Sequence, residues 1–177
     1  MDTIASRYGQ SLFDLAIEKN QVGNYLEQLN LVSEVFGSDP KIGQFFSHVI
    51  IDDSDKMELI EKSFKESLDK MVLNFLKLLI KNRRMKYFSE IFLAYKDLAN
   101  DYLGIEEGIV YTPSTLSDEQ LTNIAAALSK SQNKKVVLRQ VIKPSLIGGL
   151  KVVIKNRVID GSVQNRIELM RKELLRK

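Results

Sequence analysis

The sequence predicts a mainly α-helical chain with a small α/β part: an N-terminal six-helix bundle, followed by a small C-terminal domain of short strands, a β-hairpin and two helices. Over residues 1–105, apolar side chains recur every three to four positions, which is the spacing of one helix face. In residues 146–167 the spacing becomes two, and a polar break separates two short apolar runs, which indicates a hairpin. This change of period predicts two domains, residues 1–105 and residues 106–177.

Helix start and stop signals divide the first domain into six segments. Gly37 is a C-terminal stop for the second helix, and Asp39 followed by Pro40 is typical of the N-cap and first position of the third. Asp55 and Glu58 have the spacing of a capping box at the start of the fourth helix. Short loops between the helices favour an antiparallel bundle. The predicted helices span residues 3–19, 21–36, 40–48, 56–67, 68–81 and 86–103.

The first and fifth helices have wider apolar surfaces than a single buried face requires. The fifth is the most apolar segment of the chain. A helix with apolar residues on more than one side either lies centrally in a bundle or offers a face to another chain, and the sequence leaves both open. The stripe of the first helix consists of Ile4, Tyr8, Leu12 and Leu15.

The second domain is expected to begin after an acidic linker at residues 106–108. Strands are predicted at residues 109–112 and 136–142, with a helix at residues 117–129 between them that Ser117 caps. The hairpin and a last helix at residues 163–176 follow. Glycine and aspartate are typical turn residues, and four of them are expected to shape the turns around the hairpin. They are Gly148, Gly149, Asp160 and Gly161.

Composition and charge limit the possible functions. The 177 residues include no cysteine, which excludes disulfides, thiolate metal sites and thiol catalysis and favours a reducing compartment. Residues 1–7 do not have the pattern of a signal or transit segment, and no apolar run approaches the roughly 20 residues of a membrane helix. Residues 1–105 carry a net charge of −3 and residues 106–177 carry +6, so the two domains differ electrostatically.

No motif in the chain is typical of catalysis or metal binding. Residues 52–55 are rich in carboxylates but lack the glycine and glutamate of a calcium loop, so helix capping is the preferred interpretation. His48 is the only histidine, and the sequence offers no cysteine or second histidine to form a metal site with it and no motif of a catalytic triad. The pair Gly148 and Gly149 lacks the spacing of a phosphate-binding loop. We therefore expect no catalytic, cofactor-binding or metal-binding residues.

Three segments resemble one known family, in matching order. Residues 5–13, Ala-Ser-Arg-Tyr-Gly-Gln-Ser-Leu-Phe, are similar to the opening Ala-x-Arg-Tyr-Ala-x-Ala-Leu-Phe helix of that family. Residues 74–83 resemble its fifth-helix segment, and residues 146–163 resemble its C-terminal signature. The family is the delta subunit of F-type ATP synthases, the counterpart of the mitochondrial oligomycin-sensitivity-conferring protein. Gly9 and Ser11 replace the usual alanines of the first helix, a departure that concerns its contacts with a partner.

The resemblance implies a non-catalytic stator subunit. Such a subunit links the alpha subunits of the catalytic head to the b-subunit peripheral stalk and resists rotor torque during proton-coupled ATP synthesis. In the family, the six-helix bundle receives the N-terminal helix of an alpha subunit between helices one and five, and the second domain meets the C-terminal end of the b subunit. The residues that the resemblance assigns to the groove are Tyr8, Ser11, Leu12, Leu15, Phe75, Leu76, Leu79 and Ile80.

The resemblance also implies one copy per complex, no cofactor, no nucleic acid, and a peripheral position on the cytoplasmic face of a bacterial cell membrane or its organelle-encoded equivalent. Contact with the membrane would come only through the complex. An alternative is a basic adaptor that binds RNA or a membrane surface through the +6 domain. Residues 112–177 contain no aromatic side chain for base stacking, which disfavours RNA. An enzymatic alternative would need a phosphate ligand at Gly148 and Gly149.

Overall fold

The computed structural model describes residues 4–48 and 50–175, and the chain divides into two compact units, residues 1–103 and residues 104–177. Within the described residues, the first unit, here the helical unit, contains six α-helices and one 3-10 turn at Met85–Tyr87. No helix in the described ranges is long and apolar enough to cross a bilayer. The helices are α1 Ile4–Glu18, α2 Val22–Ser38, α3 Pro40–Ser47, α4 Asp53–Phe64, α5 Lys70–Lys81 and α6 Phe88–Leu103.

Helix α2 ends later than predicted, because the break in the helix is at Asp39 and not at Gly37. Gly37 does not stop the helix, which continues to Ser38. The break comes at Asp39, whose backbone is extended with φ −139° and ψ 117°, because a residue before proline is pushed out of the helical region. The Asp39 carboxylate then accepts a hydrogen bond from the Lys41 amide at 2.8 Å. The predicted N-cap of α3 is therefore confirmed.

The predicted capping box of α4 is wrong. The helix begins at Asp53, three residues earlier than expected, and Asp52 occupies the N-cap position without a side-chain hydrogen bond to the helix. Asp53 and Asp55 lie in the first turn, where carboxylates interact favourably with the helix dipole. Helix α5 starts at Lys70 rather than residue 68, because the Asp69 carboxylate accepts from the Met71 amide at 2.8 Å.

The core of the helical unit receives side chains from all six helices. Two tyrosines of this core have hydroxyl groups that form hydrogen bonds. The Tyr95 hydroxyl donates to the Val22 carbonyl at 3.0 Å, and the Tyr25 hydroxyl donates to Asp69 at 3.3 Å. Burial raises the pKa of both hydroxyls above the ordinary tyrosine value, because a low-dielectric interior disfavours the phenolate.

The second unit, here the sheet unit, contains a four-stranded sheet in the order β2-β1-β3-β4. Strands β1 and β2 are parallel and are connected through α7, whereas β1/β3 and β3/β4 are antiparallel. Leu121, Ile124 and Leu128 of α7 pack against the buried face of the sheet. The described elements are β1 Ile105–Thr112, α7 Asp118–Gln132, β2 Lys135–Ile142, β3 Lys151–Ile154, β4 Arg157–Asp160 and α8 Val163–Leu174.

Residues 106–108 belong to β1, so the predicted acidic linker is wrong. Glu106 is buried, and its carboxylate accepts from Lys134 Nζ at 2.9 Å and from Arg157 Nη2 at 3.2 Å. The hydrogen bond from Lys134, followed by the positive charges of Lys134, Arg157 and Lys155, holds the pKa of Glu106 below its ordinary value. An acidic residue can occupy this inward position because two cations of later segments neutralise it.

The four predicted turn residues lie in one local structure between β3, β4 and α8. Gly149 has φ +78°, and a Cβ there would collide with the Gly161 carbonyl oxygen. The Gly161 amide donates to Leu150 at 2.9 Å, and the Asp160 carboxylate accepts from the Ser162 amide at 3.0 Å. The two glycines therefore allow the chain before β3 to lie directly against the turn that leads into α8.

Candidate partner-binding groove

A groove of about 330 Å³ lies between α1 and α5. Four of the residues that line it are at positions i, i+3, i+4 and i+7 of α1, which places them on one face of that helix. Two more, Phe75 and Leu78, come from one face of α5, and Arg84 follows that helix. The α1 residues are Tyr8, Ser11, Leu12 and Leu15, and Arg7 completes the lining.

Helix α5 has two apolar faces, and the predicted groove residues of this helix come from both of them. Leu76, Leu79 and Ile80 are at most 2% exposed and belong to the core of the bundle. They do not line the groove, so their assignment to a partner-binding surface is corrected. Spacing explains the division, because Leu76, Leu79 and Ile80 point inward together, whereas Phe75 and Leu78 share a different face. Leu78, which the prediction omitted, is 46% exposed.

Tyr8 is fixed at the groove by contacts from α5 and from the turn after it. Its ring meets Phe75 edge to face, with 6.2 Å between the centroids. The Tyr8 hydroxyl accepts from Arg84 Nη1 at 3.0 Å and from Asn82 Nδ2 at 3.2 Å, and the Arg84 guanidinium carbon lies 5.2 Å from the ring centre. The aromatic part of the groove is thus held in place before any partner binds.

The sequence contained a signal for Leu78 but none for Arg84. Leu78 follows Phe75 by three positions, so helical spacing places it on the same face as a residue already assigned to the groove. Arg84 reaches Tyr8 across 76 positions of the chain. No local pattern specifies such a contact, because it depends on how α1 and α5 pack.

A second exposed apolar surface lies along α8 in the sheet unit. Its residues recur at helical spacing, which places them on one stripe, and each of them is between 42% and 78% exposed. An exposed apolar stripe of this kind is typical of an interaction surface. We refer to it as the α8 stripe, and it consists of Val163, Ile167, Met170 and Leu174.

The remaining residues that the sequence singled out either have local structural roles or lack the neighbouring side chains that a site would need. Gly149 faces the Gly161 carbonyl, and the Gly148 carbonyl accepts from the Val163 amide at 3.0 Å. Two carbonyl groups at this loop are acceptors and disfavour a phosphate there. His48 is exposed, with Nδ1 accepting from the Ile50 amide at 3.4 Å. In residues 4–48 and 50–175, no three His, Asp or Glu side chains are grouped to hold a metal ion.

Comparison with known proteins gives the chain a family. The model of the family described as ATP synthase delta (OSCP) subunit matches residues 4–174. The chain belongs to this family. Among its delta-family relatives, ATP synthase subunit delta of Enterococcus hirae is 34% identical over 175 residues, covering 98% of this chain and 97% of the relative. That of Alkalihalophilus pseudofirmus is 32% identical over 173 residues, covering 97% and 95%.

The delta-family fold is also found among solved structures. A chain in the cryo-EM structure of the Toxoplasma gondii mitochondrial ATP synthase hexamer superposes with a TM-score of 0.71 at 20% identity, covering 98% of each chain. The predicted fold class, mainly helical with a small C-terminal sheet, is confirmed. As a delta-family member, the chain is a structural subunit of the ATP synthase complex and associates with other subunits of it.

The two departures from the delta-family helix-one motif have different surroundings. Gly9 is buried against α6, where a Cβ would lie 2.9 Å from Ala94 Cβ and 3.0 Å from the Tyr95 amide nitrogen. Its absence of a side chain therefore concerns the packing of α1 on α6 and not the groove. Ser11 lines the groove, and its hydroxyl donates to the Arg7 carbonyl at 2.8 Å. Of the two, only Ser11 can alter partner contacts.

Proposed function

We propose that this chain is the stator joint of an F-type ATP synthase, with the α1–α5 groove receiving the N-terminal helix of an alpha subunit. The observation that carries the proposal is the partly exposed apolar groove on helices α1 and α5 of a delta-family chain. The subunit performs no chemistry. Its function is to bind its partner subunits tightly, because the catalytic head must be held still while the central shaft turns.

The shape and composition of the groove suit a single amphipathic helix. Such a helix presents anchors at positions i, i+3, i+4 and i+7, which span about 10 Å along its axis. Tyr8 and Leu15 are also seven residues apart on α1, so the groove offers a matching length. Apolar floor residues, chiefly Leu12 and Phe75, would bury the anchors, and the aromatic pair is already fixed.

The groove assignment is tested with Leu78→Asp in the full chain. Isothermal titration calorimetry measures binding of a peptide of roughly 25 residues, about seven helical turns, taken from the N-terminus of the same organism's alpha subunit. We expect an unchanged circular dichroism spectrum, because Leu78 is 46% exposed, and a loss of affinity of roughly 30-fold or more. Leu93→Asp is the matched control, since Leu93 is 56% exposed on α6 and does not line the groove. Equal affinity of the two variants would refute the assignment.

We further propose that the sheet unit meets the C-terminal end of the b subunit through the α8 stripe. The stripe supports this role because it is apolar, helical and exposed, which is the form that one helix presents to another. With a single copy per complex on the cytoplasmic face of the membrane, the chain would connect head and stalk. Three cations of this unit, Lys134, Arg157 and Lys151, form ion pairs within it, which weakens the alternative of a basic adaptor.

Ile167→Asp tests the α8 stripe by capture of purified b subunit on the immobilised full chain. Leu169→Asp is the matched control, because Leu169 has a similar exposure of 53% against 56% but lies off the stripe. We expect Ile167→Asp to lose b-subunit capture while keeping the alpha peptide. Retention of the b subunit by Ile167→Asp, or its loss in both variants, would contradict the proposal.

A further inference from the structure

The groove between α1 and α5 has an apolar floor, but one of its ends is positively charged. Arg7 and Arg84 both line the groove, and no carboxylate is among the residues that line it. Arg84 contacts Tyr8, and Arg7 precedes Tyr8 on α1, so both cations lie towards the Tyr8 end. Leu15, at the other end, is about 10 Å away along α1.

Arg84 is half-buried and has hydrogen-bonding capacity left over. A guanidinium has five N–H donors. Among the described residues, Arg84 donates from Nη1 to the Tyr8 hydroxyl, which is a neutral acceptor. Within residues 4–48 and 50–175, no carboxylate forms an ion pair with Arg84 or Arg7. The cation is therefore positioned by Tyr8 without being neutralised.

A partner helix that covers this end must deal with the charge. Covering a guanidinium with apolar side chains alone removes water from a cation and offers no anion in exchange, which is strongly unfavourable. A carboxylate on the partner would instead form a charge-assisted pair in the planar geometry that arginine favours. We infer that the helix bound in the groove carries an aspartate or glutamate that pairs with Arg84. The inference rests on the proposed function, because it specifies the chemistry of the same partner.

The test is a double-mutant cycle with the full chain and the N-terminal alpha peptide. Each Asp and Glu of the peptide is changed in turn to Asn or Gln, and affinity is measured by calorimetry against the wild-type chain and Arg84→Gln. We expect one peptide position to lose roughly 10- to 100-fold in affinity with the wild-type chain. The same change should cost less than about twofold with Arg84→Gln, because the pair is already broken there.

Arg83→Gln is the matched control for long-range charge effects. Arg83 has the same charge one position away, but it lines a different cavity with His48 and Lys56. The peptide position that couples to Arg84 should keep its full sensitivity in Arg83→Gln. Arg84→Lys should keep part of the coupling, and Tyr8→Phe, which removes only the hydroxyl acceptor, should keep most of it. These variants separate loss of the charge from a disturbed groove.

The outcomes distinguish this inference from the proposed function. If the peptide binds and Leu78→Asp abolishes binding, but no carboxylate couples to Arg84, the groove assignment stands and the acidic partner residue is refuted. Equal coupling to Arg83 would also refute it, because the effect would then be one of net charge. If the peptide does not bind the wild-type chain, the groove assignment and the inference fail together.

Discussion

In the helical unit, the core is built from side chains of six helices, whereas the buried centre of the sheet unit consists of Val110, Val136, Leu138, Val152 and Ile154. Besides this small apolar centre, the sheet unit has the buried carboxylate of Glu106 between two cations and the close contact of Gly149 with the turn after β4. The bundle thus has a large apolar core that is supplemented by a few hydrogen bonds such as that of Tyr95, while the small sheet has less apolar area and depends more on specific polar and backbone contacts.

The largest effect is expected from Leu79→Ala in the helical unit. Leu79 is fully buried, so its truncation should lower the free energy of unfolding by about 2–5 kcal/mol. Leu78→Ala, one residue away and 46% exposed, should cost less than about 1 kcal/mol. Denaturant unfolding followed by near-ultraviolet circular dichroism measures both, since five of the six tyrosines lie in the helical unit. Similar losses in the two variants would contradict the two-faced description of α5.

Gly149→Ala should have the next largest effect, and in the sheet unit only. The φ of +78° is unfavourable for alanine, and the added Cβ would meet the Gly161 carbonyl oxygen, so a cost of about 1–3 kcal/mol is expected. The control is Gly148→Ala, whose Cβ would lie 3.2 Å from a movable side-chain atom, Val163 Cγ2. Amide hydrogen exchange, read peptide by peptide, should show faster exchange in β3 and β4 for Gly149→Ala and an unchanged helical unit.

A smaller, pH-dependent effect is expected from Glu106→Gln. The folded pKa of Glu106 is lowered, so its contribution to stability is present above the ordinary value of 4.5 and is lost as the pH falls through the folded pKa. The variant should therefore be less stable than the wild type at neutral pH, and the difference should shrink on acidification. NMR signals of β1 and β2 amides report this unit. Glu168→Gln, at an exposed position of α8, should leave the acid transition unchanged.

The smallest effect should come from Glu58→Gln on α4. The Glu58–Lys62 ion pair, at 2.6 Å, has side chains that are 62% and 73% exposed, and exposed pairs contribute little because water and salt screen them. Thermal unfolding at neutral pH should give the same midpoint as the wild type within error. A clear shift would mean that exposed charges stabilise the bundle, and the contrast with Glu106 would lose its basis.

The features that were predicted correctly depend on neighbouring residues, although two other local patterns, the Gly37 stop and the capping box of α4, were wrong. The stripe of α1, the cap of α3, the hairpin and the turn glycines were all predicted from local spacing or residue type. The start of β1 was not, because Glu106 resembles a linker residue until Lys134 and Arg157 are placed beside it. The faces of α5 were merged because every one of its sides carries apolar residues, and only the packed bundle separates Leu78 from Leu79.

The position of β1 also determines the order in which the chain can fold during synthesis. Strand β1 is the first strand made, yet its neighbours in the sheet, β2 and β3, end at Ile142 and Ile154. All residues of the helical unit have been synthesised once Leu103 is added. The Glu106 carboxylate, in contrast, can form both of its ion pairs only after Arg157 has been synthesised. At ordinary translation rates of about 5–20 residues per second, roughly 50 residues correspond to some 3–10 seconds. Until Ile142 has been made, β1 follows the bundle without a complete partner strand, and until Arg157 has been made, the Glu106 carboxylate lacks the second of its two cations.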